Sequence, residues 1–126
     1  MQNTRSVRAA SFHATSQLLS QLMSTINGDA ELSRIIGVGS QDLGALDPDA
    51  RRRFMGVSTQ LFSYYQDVFH QHREGLLDAE LWASRRKNIA AYLRSPGVQE
   101  FWSQHGELFT ESFRAKVDSE LAPRSR

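Results

Sequence analysis

The sequence predicts an all-α fold, an irregular helical bundle of three longer and about three short helices. Three observations carry that prediction. Apolar residues recur at spacings of three and four along most of the chain. Val, Ile and Thr are sparse, and no segment sustains the polar–apolar alternation of a strand. Helix-starting residues recur ahead of these periodic runs: Asp29, Asp47, Asp78 and Thr110, with Asp47-Pro48 and Ser95-Pro96 adding a proline at the first helical position.

The first helix is expected from about Thr4 to Ile26. Phe12, Leu19, Leu22, Met23 and Ile26 share one side, and Ala9, Ala10 and Ala14 permit close approach. Asn27-Gly28 is a stop, since both residues tolerate the left-handed conformation that closes a helix. Asp29 then caps a short helix to about Ile36, and Gly37, Gly39, Ser40 and Gly44 form a loop. The long central helix starts at Asp47-Pro48. Phe54, Val57, Leu61, Tyr65, Val68, Phe69 and His72 form its apolar stripe, with Met55 and Phe62 on the flanks. Gly75 ends it. Asp78 caps the next helix, which runs to about Arg94 and buries Leu81, Trp82, Ile89, Tyr92 and Leu93, while Leu77 is free to pack on its first turn. The hinge at Gly75 is short, so the helices flanking it should be antiparallel neighbours. Ser95-Pro96 opens a short helix with Val98, Phe101 and Trp102 that stops near His105-Gly106. Thr110 caps a last helix with Phe113, Val117 and Leu121. The whole of 1–126 is one helical domain, its tail 122–126 frayed.

Composition narrows the function classes. Hydrophobic residues at 40% and charged residues at 23% are ordinary for a globular domain. A net charge of +1 lacks the basic excess of a non-specific nucleic-acid binder, so nucleic acid is not expected as a partner. The absence of cysteine excludes disulfides, zinc–thiolate sites and thiol nucleophiles. No window approaches the roughly 20 apolar residues that span a bilayer. The N-terminal MQNTRSVRAASFH lacks the apolar core of a signal peptide. Gly37, Gly39 and Gly44 lack the Gly-Lys-Ser/Thr of a phosphate loop, and no serine sits in a strand–turn–helix elbow. No catalytic set and no cofactor are expected.

Four groups of residues remain as candidates. Asp67, His70 and Glu74 share a face of the central helix at metal-ligand spacing. One helix supplies few ligands, and the plainer alternative is a solvated face with ordinary ion pairs. Tyr65, Phe69, His72 and Trp82 could line an aromatic pocket, with His72 as a buried general base. The plainer alternative is core packing. Arg51, Arg52 and Arg53, with Arg85, Arg86 and Lys87, and with Arg5 and Arg8, could form a basic surface for anionic headgroups or nucleic acid. Against it, consecutive helical residues point about 100° apart. Last, aromatics on both sides of the central helix predict a homodimer through it, because one chain is not expected to cover them all.

The stretch YYQDVFHQHREGLLDAELW, followed by RSPGVQEFW and ELFTESFRAKVD, resembles a widespread family of uncharacterised small bacterial all-helical proteins. The residues that carry the resemblance are Tyr64 and Tyr65, Glu74 to Asp78, Trp82, Ser95 to Gly97, Phe101 and Trp102, and Phe113 with Arg114. The resemblance covers the chain from about Ser11 onward. It implies a helical fold and, in many members, an N-terminal transmembrane anchor that this sequence lacks; it implies no catalytic residues. The expected function is therefore a non-enzymatic helical interaction or oligomerisation module. By the resemblance it is the cytoplasmic part of a protein at the inner face of the membrane, or a soluble relative, and Arg5 and Arg8 agree with the positive-inside rule. The alternative is a small apolar-ligand binder or enzyme using an aromatic pocket with His72, or with His70 and Glu74.

Overall fold

The computed structural model describes residues 3–122, leaving aside the side chains of residues 3–5, 8 and 11. The expected fraying of 122–126 and the placement of the Arg5 and Arg8 side chains therefore lie outside the described residues, apart from Ala122. Six α-helices follow in chain order: α1 (Asn3–Asn27), α2 (Ala30–Gln41), α3 (Pro48–Arg73), α4 (Ala79–Tyr92), α5 (Pro96–His105) and α6 (Glu111–Leu121). Single 3-10 turns at Leu43–Ala45 and Gly106–Leu108 join α2 to α3 and α5 to α6. Among the described residues there is no strand, and no helix is long and apolar enough to cross a membrane.

Local chemistry starts most of these helices where the sequence predicts. The Asp29 carboxylate accepts from the Leu32 N–H at 3.0 Å, and Asp47 from the Ala50 N–H at 2.8 Å. Asp78 accepts from Glu80 at 2.8 Å and Thr110 from Phe113 at 3.4 Å. Each bond satisfies a backbone donor that has no partner within its helix. Ser95 departs from the pattern. Its side chain makes no capping bond, and its backbone carbonyl instead accepts from Val98 and Gln99, both at 3.1 Å. Gly75, at φ 73°, closes α3: its N–H reaches the His72 carbonyl at 3.1 Å, and the Leu76 N–H reaches Gln71 at 2.8 Å. That pair of reversed bonds favours glycine, the residue that adopts positive φ without strain. Among the described residues Gly75 alone has positive φ, so Gly28 does not end α1 by a left-handed turn. There the Ile26 carbonyl accepts from the Asp29 N–H at 3.3 Å and from the Ser33 hydroxyl at 2.7 Å.

The loop expected at Gly37, Gly39 and Ser40 is a correction, because α2 continues through all three to Gln41. Gly39 is there for packing. A Cβ on it would stand 2.5 Å from Phe54 Cδ2 and 2.9 Å from Leu46 Cδ1. Across the gap, a Cβ on Gly97 would overlap the Gly39 carbonyl oxygen. Gly97 thus lets the α5 backbone meet that of α2, while Gly39 makes room for Phe54 and Leu46, both at the cost of weaker local helix propensity.

The core gathers on α3. Phe54 and Phe62 from α3, Phe101 and Val98 from α5 and Phe113 from α6 are 0% exposed. The Phe62 ring lies 5.1 Å from Trp102 and 5.5 Å from Phe101, both stacked, with Tyr92 at 5.8 Å and Phe109 at 6.0 Å. These spacings are those of favourable aromatic pairs. Tyr64, Tyr65 and Phe69 are also buried within one chain. The premise of the α3 dimer, that one chain cannot cover these aromatics, is corrected: α1, α4, α5 and α6 cover them.

Candidate functional site

The aromatic set is partly brought together. At the hinge between α3 and α4, the His72 imidazole stacks on Trp82 with centroids 4.5 Å apart and planes 10° from parallel. Phe69 sits 6.1 Å from Trp82 and 5.2 Å from the His70 ring, and Arg73 lies over Phe69 at 5.6 Å. Tyr65 instead joins Phe62 and Tyr64 deeper in the core, where burial pushes its hydroxyl up to about 12. Burial also raises Tyr64 and Tyr92. Trp82 thus links the rings of His72 and Phe69 at the α3–α4 hinge.

The metal candidates separate. His70 Nε2 meets the Thr110 hydroxyl at 2.9 Å, joining α3 to the start of α6, and the Thr110 N–H donates to Gln66 Oε1 at 2.7 Å. Asp67 turns towards α1, where burial raises its carboxyl against the opposing influence of His70. Glu74 ends α3, its N–H bonded to the His70 carbonyl at 3.0 Å. Among the described residues, no group of three or more His, Cys, Asp or Glu side chains is placed to hold a metal ion. His105 packs on Phe101 at 5.3 Å, so His70, His72 and His105 serve three different contacts.

The basic residues divide as well. Arg51 donates to the Leu46 carbonyl at 3.0 Å, Arg52 pairs with Asp49 at 3.3 Å, and Arg53 with Asp29 at 3.5 Å. Asp49 and Asp47 offset the unfavourable positive charge in the first turn of α3. Arg85 turns inward, its guanidinium 5.9 Å from the Phe12 ring and its charge beside Tyr64. Arg86 and Lys87 remain outside, on the face of α4 that faces α6.

The grooves open to solvent among the described residues include the following, none of them lined by the aromatic or metal set as a whole. A groove of about 300 Å³ between α1 and α3 is lined by Leu18, Leu19, Leu22, Gln60, Tyr64 and Asp67, among others. A second, of about 320 Å³, lies between α5 and α6 near Arg114, beside a bond from Trp102 Nε1 to Asp118 at 2.9 Å. A third, of about 240 Å³, is lined by Ala83, Arg86, Lys87, Ala90, Arg94 and Glu120. Sequence reasoning missed Leu18 and Arg94. The signals were present: Ala9 to Asn27 contains no Asp, Glu, Lys or Arg, and Arg86, Ala90 and Arg94 recur at intervals of four. Comparison of the chain with protein-family models, with curated proteins and with solved structures finds no match.

Proposed function

We propose that this chain is a non-catalytic helical interaction module that pairs with a second copy through α1. The observation that carries the reading is the character of α1's open side. From Ala9 to Asn27 the helix bears no acidic, lysine or arginine side chain. Yet most of those residues are exposed, and Leu18 is 57% exposed. Solvated helix faces normally carry charge, whereas charge is depleted at the centre of protein interfaces. Val7, 48% exposed, lies eleven residues before Leu18. With Ala14 between them, these residues fall within about 40° on the helix surface. The groove lined by Leu18, Leu19 and Leu22 continues that stripe and offers a slot for a side chain.

A second copy is the occupant because two-fold pairing sets a surface against itself, and an uncharged face does so without like-charge repulsion. His70 is taken up in a contact with Thr110 and His72 in stacking on Trp82, which also favours a non-catalytic role. The test is molar mass by sedimentation equilibrium. The wild-type chain is expected to dimerise in the micromolar range, and Leu18→Glu to be monomeric with the helical circular dichroism of the wild type, since Leu18 is largely exposed. A wild-type chain that stays monomeric across that range overturns the reading.

A further inference from the structure

The groove between α4 and α6 is the most charged concavity among those described, and it is independent of the α1 face. Ala83, Arg86, Lys87 and Ala90 line it from α4, and Arg94 from the turn that follows α4, so short side chains stand among the cations. Glu120 of α6 faces them and is the one acid in the lining. It already holds Arg86 at 3.3 Å and Lys116 at 3.1 Å. Burial alone would raise the Glu120 carboxyl, but its bonds and charge contacts with Lys116 and then Arg86 hold it below the usual carboxylate range. Among the described residues, Lys87 and Arg94 form no ion pair. The lining therefore has two positive charges in excess, against +1 for the whole chain.

We propose that this groove binds an anion carrying two or more phosphate groups. Lys87 stands on α4 and Arg94 in the turn beyond its end, so the two unpaired cations come from different parts of the lining. Three cations against one carboxylate offer more charge than a single phosphate uses, and a pair of phosphates can engage Lys87, Arg94 and Arg86 together. Ala83 and Ala90 leave room for the ligand to settle between the cations. Arg86 is the adjustable member. A phosphate, with its greater charge and three acceptor oxygens, competes with the single charge of Glu120 for the guanidinium, while Lys116 keeps Glu120 paired. The same chemistry is offered by a soluble bisphosphate and by the headgroups of an anionic membrane.

The test is titration of the whole chain with pyrophosphate at low salt, followed by amide chemical shifts. Saturable shifts are expected at 83–94 and 116–120. Lys87→Gln with Arg94→Gln should weaken binding about tenfold or more. Both side chains are exposed and unpaired, so folding is retained. Arg52→Gln with Arg53→Gln removes the same charge at α3 and should leave the affinity unchanged. Sedimentation with vesicles of phosphatidylcholine, with and without phosphatidylglycerol, separates the sources. Retention by phosphatidylglycerol vesicles that the Lys87→Gln, Arg94→Gln pair abolishes supports the site with headgroups as its ligand. Pyrophosphate binding without retention supports it with a soluble one. Equal losses from the two double variants, or neither saturable shifts nor retention, overturn the proposal.

Discussion

Gly97→Ala tests the packing argument most directly. Gly97 lies in the first turn of α5, and a Cβ there would overlap the Gly39 carbonyl oxygen of α2. The obstacle is backbone, so no rotamer change relieves it and the two helices must separate. Overpacking costs about 1–3 kcal/mol, and a backbone obstacle places this case towards the upper end. Separation would also loosen Val98 and Phe101, both 0% exposed. Alanine's better helix propensity returns about 0.5–1 kcal/mol. The expected net loss is about 2 kcal/mol, or about 6–10 °C in Tm for a domain of this size. Gly37→Ala supplies the opposite sign. Gly37 lies in the same α2 helix, and a Cβ added there would meet nothing within 4 Å, so only the propensity gain applies. Urea unfolding followed by circular dichroism measures both. If Gly97→Ala is neutral or stabilising alongside Gly37→Ala, the backbone contact between α2 and α5 is not what sets the interhelix distance.

Two further expectations follow from the core and from the α3–α6 junction. Tyr65, pushed up to about 12, and the raised Tyr64 and Tyr92 keep their protons in the folded chain after unfolded tyrosines have ionised. Over the window from about pH 10 to about pH 12 the native state thus binds more protons, and stability falls as pH rises. Urea midpoints that stay flat from neutrality to that window would refute the burial argument. Thr110→Ala removes the α6 cap and the 2.9 Å contact with His70, and should cost about 1–2 kcal/mol by urea unfolding, most of it recovered in Thr110→Ser. Equal stability of the alanine and serine variants would show that the hydroxyl contributes nothing.

Much of the helical order is legible in the sequence because its signals are local. Asp29, Asp47, Asp78 and Thr110 act on backbone N–H groups two or three residues away, and Gly75 acts through its own φ. Gly39 is illegible for the opposite reason. A glycine that breaks a helix and a glycine that admits a neighbour look the same in a sequence, and only Phe54, Leu46 and Gly97 tell them apart. The candidate sites share that difficulty. Helical spacing puts Asp67, His70 and Glu74 on one face of α3, but the partners that meet them are Thr110 and the α1 groove, far along the chain.

By itself, then, the sequence determined the all-α class, the helix starts and the apolar stripe of α3, since propensity, capping and periodicity act over a few residues. Tertiary structure alone decided how the arginines are divided, with Arg85 turned in towards Phe12 and Arg86 and Lys87 left beside Arg94. It also decided that one chain covers the α3 aromatics, while the uncharged side of α1 stays open. The reason is physical: whether a face is filled or free depends on which distant segment packs against it, and that is a property of the assembled helices.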